Sequence, residues 1–179
     1  MQKISTRKLA LLSLFAAMVA VLEIYSIHLS NFRFTFESLP IYLGALLFGP
    51  LPGALVGGVG TLISQLISFG IMPTTLLWVA PYVIVGLLSG TYAKKKKGQF
   101  SSRELRFFLL AMELLITALN TLSLYIDGHV YGYYKPSIIL ATLIPRIVIA
   151  AVKGYLYGYL LPPIHEAIQK KLAIGKNDW

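Results

Sequence analysis

Four ionisable residues, Glu23, Glu113, Arg146 and Lys153, stand inside apolar runs, with Gln65 and Asn120 as polar companions. A charge at membrane depth costs about 3 kcal/mol or more, so such residues pair with one another or face a pocket or path for polar cargo. Glu113 and Asn120 are seven residues apart, as are Arg146 and Lys153, which puts each pair close to one stripe of its helix. At a rise of about 1.5 Å per residue, Asn120 and Arg146 lie roughly 10 and 12 Å below the outer boundary, and Glu113 and Lys153 roughly 21 and 22 Å. Antiparallel neighbours would bring Glu113 to Lys153 and Asn120 to Arg146. A lone buried ammonium is untenable, so a Glu113–Lys153 ion pair is expected as a structural element. Arg146 has two readings, because an amide cannot neutralise it. Either it bridges to Glu23, the one carboxylate at its depth, or with Arg33 it awaits an anionic ligand group suited to the guanidinium fork.

The stretch "HLSNFRFTFESLPIYLGALLFGP", residues 28 to 50, begins as an alternation and turns abruptly into an apolar run of about eleven residues. In an extended chain Phe32, Phe34 and Phe36 face one way, and Arg33, Thr35 and Glu37 the other, the patterning of a lid over a polar pocket. Aromatic residues gather at the same outer level: Trp78, Tyr131, Tyr133 and Tyr134 join the three Phe. Interfacial belts account for most of them, but Trp78, in "MPTTLLWVAP", is placed to stack on a flat ring.

Several function classes drop out. The chain has no Cys, which removes disulfides and thiolate chemistry. His28, His129 and His165 have no metal-ligand spacing, so no metal and no cofactor are expected. The formal charge of +9 does not form a basic patch on a soluble face, so no nucleic-acid partner is expected. An enzyme would need an acid, base or metal set converging at one depth, and the charged candidates are isolated.

The elements that must position these residues are transmembrane. The 179 residues are 56% hydrophobic and 13% charged, with a mean hydropathy of +0.72, which places the chain in a lipid bilayer as one membrane domain. The expected fold is an all-α bundle of six transmembrane helices over residues 9–27, 39–49, 53–69, 74–92, 105–126 and 137–161, with residues 28–38 as a lid loop. The second is a half-span of about 16 Å, closed by Pro50 and Pro52 in "FGPLPG". With both termini cytoplasmic, the inner ends carry twelve of the sixteen basic residues: Lys3, Arg7, Lys8, Lys94 to Lys97, Arg103, Arg106, Lys170, Lys171 and Lys176. Small residues four apart, Ala16 and Ala20, Gly53 and Gly57, Gly154 and Gly158, make smooth strips for close helix contact.

A chain of this length with six spans, a basic start before "LALLSLFAAMVAVL", a loop leading to "LPIYLGALLFGPLPGALVGGVGTLISQLI" and a basic fourth loop resembles the substrate-binding S component of an energy-coupling factor (ECF) vitamin transporter. The segment "FRFTFESLPIYLGALLFGPLPGALVGG" is most similar to the folate family, where an aromatic and basic lead-in precedes Leu-Pro and Phe-Gly-Pro. The layout extends over nearly the whole chain and the motif over about residues 28 to 60. The resemblance implies a high-affinity vitamin-binding subunit of an ABC-type importer in the bacterial cell membrane, without catalytic activity of its own. Such a subunit binds in an outward pocket under the first loop and topples on docking to a transmembrane coupling subunit driven by two ATPase subunits. It also implies roles: Arg33 and Arg146 on carboxylates such as folate's glutamate tail, Trp78 and the lid Phe residues, Phe36 among them, over the ring, and Glu37, Asn120 or Gln65 on ring nitrogens. Ala16 and Ala20 match the strip that meets the coupling subunit. "SFGIMPTTLLW" departs from the folate-family wording, so another vitamin, a hydroxymethylpyrimidine or thiamine precursor, pyridoxine or pantothenate, stays open. A self-sufficient secondary transporter is the remoter alternative, because the two halves show little repetition.

Overall fold

The computed structural model describes residues 6–29 and 32–172. Lys3 and Lys176, and the side chains of Phe32 and Arg33, lie outside the described residues. Among the described residues six helices form one bundle: α1 Thr6–Ile24, α2 Ser38–Phe48, α3 Pro50–Phe69, α4 Thr75–Lys95, α5 Ser102–Val130 and α6 Pro136–Leu172. Between α1 and α2 a small antiparallel hairpin pairs β1, Ile27–Leu29, with β2, Phe32–Phe34, in the register Ile27 to Phe34 and His28 to Arg33. The hairpin stops α1 at Ile24, three residues before the expected end of the first span, because residues 27–29 satisfy their backbone across a strand partner instead.

Helices α3 to α6 are each long and apolar enough to cross a membrane. The 11 residues of α2 are too few, and α1 carries Arg7, Lys8 and Glu23 within its 19 residues. The helix α2 is short because it does not need to meet lipid: Ile41, Tyr42, Leu43, Ala45, Leu46 and Leu47 are all buried. It lies in the middle of the bundle against α1, α3, α4 and α6. Gly49, with φ of +93°, makes the turn out of α2 that a side chain would disfavour. Pro50 then opens α3, where a missing N–H would have had no helical partner. The helix therefore starts at Pro50 and not at Gly53, where the proline punctuation suggested.

Small residues let the helices touch. A Cβ on Gly86 of α4 would lie 2.5 Å from the Gly53 carbonyl of α3, and one on Gly60 of α3 would lie 2.7 Å from the Ala16 carbonyl of α1. Gly154 and Gly158 of α6 pack in the same way on Leu110 and Arg106 of α5. On α1, Ala16 and Ala20 are 8% and 5% exposed, and the Ala16 carbonyl lies against α3. The exposed large residues of α1 are Leu9, Leu14 and Val21.

Candidate functional site

The polar residues buried by this packing surround a cavity of about 560 Å³, within the range of small-molecule sites. Each helix except α2 contributes. Glu23 comes from α1, Gln65 and Phe69 from α3, Trp78 and Tyr82 from α4, Glu113, Thr117, Asn120 and Asp127 from α5, and Arg146, Ile149, Ala150 and Lys153 from α6. Thr35 and Glu37 enter from the segment between β2 and α2, Thr74 from the turn before α4, and Tyr133 from the turn after α5.

One side of the cavity is an ionic cluster. Lys153 Nζ lies 3.1 Å from Glu113 Oε2 and 3.7 Å from Glu37 Oε1, joining α6, α5 and the approach to α2. The Tyr42 hydroxyl donates to Glu113 Oε1 at 2.9 Å, and the Tyr82 hydroxyl donates to Glu37 Oε1 at 3.1 Å. Asn120 Nδ2 in turn donates to the Tyr82 oxygen at 3.3 Å. Gln65 Nε2 donates to Glu23 Oε1 at 3.0 Å, tying α3 to α1.

Elsewhere on the lining, Asp127 near the end of α5 gathers two donors, Trp78 Nε1 at 3.5 Å and the Tyr133 hydroxyl. Burial, then the hydrogen bond to Asp127, pushes the Tyr133 phenol up to about 12. The Ser123 hydroxyl donates to the Leu77 carbonyl at 2.7 Å, which fixes α4 against α5 beside Trp78. Arg146 is half-buried on the lining and forms no ion pair among the described residues.

Seven-residue spacing on α5 and α6 thus brings Glu113, Asn120, Arg146 and Lys153 to one cavity, with Glu113 and Lys153 in contact. Two alternatives drawn from the sequence do not form. Asn120 bonds to Tyr82 and not to Arg146, and no Arg146–Glu23 bridge is present. Gln65, Trp78 and Glu37 line the cavity, whereas Phe36 does not. The alternation of the lead-in explains the difference: Thr35 and Glu37 face the cavity, while Phe36 turns to the opposite side and packs edge-on to Phe34 at 4.8 Å and near Tyr157 at 6.4 Å. The Arg33 side chain lies outside the described residues.

Sequence reasoning missed Tyr82, Thr74, Tyr133 as a lining group and Asp127. Asp127 was visible only as the polar end of a span, and Tyr82 as one more apolar-run aromatic after Pro81. Nothing in their spacing shows that one ties together Glu37 and Asn120 and the other holds Trp78. The lining carries hydrogen-bond acceptors, one cation without an ionic partner among the described residues and an indole, groups of the kind that suit a polar ring. Among the described residues no group of His, Cys, Asp or Glu could hold a metal ion.

The sequence model of the family described as ECF-type riboflavin transporter, S component, matches residues 3–170. The fold is similar to the crystal structure of FolT bound with folic acid, with a TM-score of 0.67 and 19% sequence identity over 88% of this chain and 97% of that one. No curated protein matches. With four helices among the described residues long and apolar enough to cross a bilayer, the chain is a multi-pass membrane protein of a transporter family and not of an enzyme family.

Proposed function

The chain belongs to the ECF-type riboflavin transporter S-component family, and on that premise we propose that its cavity binds folate for import. The observation that carries this reading is Arg146, a half-buried guanidinium on the cavity wall with no ion pair among the described residues. A guanidinium in that position suits a carboxylate, which folate has. Trp78 on the same lining offers a flat indole to a heterocycle. The likeness in fold to FolT bound with folic acid supports the choice of vitamin. Riboflavin is the second reading, favoured by the description of the family.

The chain would act in a bacterial cell membrane with both termini cytoplasmic, an orientation supported by the basic residues at the inner ends of its spans. Uptake would be driven by two ATPase subunits through a transmembrane coupling subunit, and this chain would supply the vitamin-binding step alone.

Purified protein in detergent, without nucleotide, tests the reading by equilibrium dialysis against folic acid and riboflavin. Submicromolar binding of folic acid, weakened about 10- to 100-fold in Arg146→Ala, is expected for a charged hydrogen bond lost. Tight binding of riboflavin alone selects the second reading. Binding of neither rejects both.

A further inference from the structure

The outer surface of α5 and α6 carries a cation that the protein orients but does not neutralise. Arg106 Nε donates to the Ser102 carbonyl at 3.2 Å, and its Nη1 donates to the Tyr159 hydroxyl at 2.9 Å. The guanidinium lies 5.0 Å from the centre of the Tyr159 ring, and the stem of the side chain runs against Gly158, where a Cβ would collide with it. No carboxylate answers this charge among the described residues. Glu104, two residues away, pairs with Lys96, and neither it nor Glu166 forms an ion pair with Arg106.

Donors are left over. The second Nη1 proton of Arg106 and both on Nη2 have no partner among the described residues. The Tyr155 and Tyr159 hydroxyls are 3.1 Å apart and share a hydrogen bond, so whichever of them donates, one phenolic proton of the pair remains for an outside acceptor. Tyr155 is 64% and Tyr159 51% exposed, so the group is open. A planar fork beside a phenol suits the paired oxygens of a phosphodiester.

Depth identifies what the group meets. Tyr159 is roughly 35 Å along α6 from Pro136, and Arg106 is roughly 36 Å along α5 from Val130. Both lengths exceed the roughly 30 Å hydrocarbon core by a few Å, which is headgroup level. The end of the bundle reached is the one that carries Lys94 to Lys97 and Arg103. Val152 and Leu156, exposed and about one turn nearer the bilayer centre than Tyr155 and Tyr159, offer an apolar track beside them. An interfacial aromatic belt accounts for the two rings, but not for a guanidinium fixed in place without a counterion.

We propose that Arg106, Tyr155 and Tyr159 bind the phosphodiester of an anionic phospholipid, such as phosphatidylglycerol, in the leaflet at the basic end of the bundle. A zwitterionic headgroup fits less well, because its ammonium would stand among Arg103, Arg106 and the lysine run, whereas a glycerol headgroup brings only hydroxyls. None of the three residues lines the cavity, so the site is separate from the reading of the vitamin.

The test titrates the full chain in detergent with phosphatidylglycerol and, separately, with phosphatidylcholine of the same acyl chains, and reads bound lipid by native mass spectrometry. Wild type should hold phosphatidylglycerol about 10-fold tighter. Arg106→Lys keeps the charge but loses the fork, so that affinity should fall about 10-fold, and Tyr155→Phe should lower it about 5-fold. Tyr155 is largely exposed, so its variant remains informative if Arg106→Lys does not fold. Equal retention of the two lipids by wild type, or an affinity that either folded variant leaves unchanged, overturns the site. Displacement of the lipid by excess inorganic phosphate would assign the fork to a soluble anion and overturns it as well.

Discussion

Removing the ammonium of Lys153 is the most demanding test of the cavity's construction. Its Nζ lies 3.1 Å from one carboxylate and 3.7 Å from another, with side chains 6% and 2% exposed. At an effective dielectric of about 20 these contacts correspond to about 5 and about 4 kcal/mol of attraction. Much of that is offset by the several kcal/mol needed to desolvate each ion. In Lys153→Met the carboxylates stay desolvated and lose the cation, so the loss should be about 3 to 5 kcal/mol, the usual result of breaking a buried pair from one side. At roughly 2 to 4 °C per kcal/mol for a chain of this size, the melting temperature should fall by about 10 °C. The assay is a thermal melt of purified protein in detergent, with Lys153→Met, Glu113→Gln and the double variant measured together. The double variant should melt above the Lys153→Met single, because it leaves one buried carboxylate, Glu37, still bonded to Tyr82. A Lys153→Met protein melting within about 2 °C of wild type, or a double variant no better than the single, would refute the assignment of Lys153 as the shared counterion.

Three further outcomes are expected. Gly86→Ala should prevent accumulation of folded protein, because its Cβ would sit 2.5 Å from the Gly53 backbone, whereas Gly58→Ala meets only a Val83 methyl at 3.0 Å and should fold; size-exclusion chromatography separates the two. Trp78 lines the cavity, so ligand-induced quenching of indole fluorescence should be present in wild type and lost in Trp78→Phe. Tyr133 keeps its proton up to about 12 against an ordinary 10.0. Its bond to Asp127 should therefore stabilise the turn fully below pH 10 and be lost as pH rises toward 12, and ultraviolet difference titration should show one phenolate fewer titrating near 12 in Tyr133→Phe than in wild type.

The half-length second helix shows how far composition reaches. Its eleven apolar residues and the flanking "FGPLPG" announce a segment too short to cross, since helix rise and proline stereochemistry act locally. That the segment is buried on all sides by α1, α3, α4 and α6 is a fact about the bundle. Ala16 and Ala20 illustrate the converse. Their spacing marks a smooth strip, and spacing cannot say which helix comes near it; the approach of Gly60 of α3 to the Ala16 carbonyl is set by the bundle.

The ionisable residues divide along the same line. Heptad spacing on α5 and α6 already placed Glu113, Asn120, Arg146 and Lys153 on facing stripes, because helical periodicity is a property of the chain alone. The third member of the ionic cluster, Glu37, comes from a different part of the sequence, and Tyr82 from another, so their meeting with Lys153 and Asn120 depends on how six helices pack. Hydrophobic content and periodicity determined that this is a helical membrane protein with charge at depth. Only tertiary packing decided which charge partners which, and that these residues border one cavity, because these are contacts between segments with no local signature.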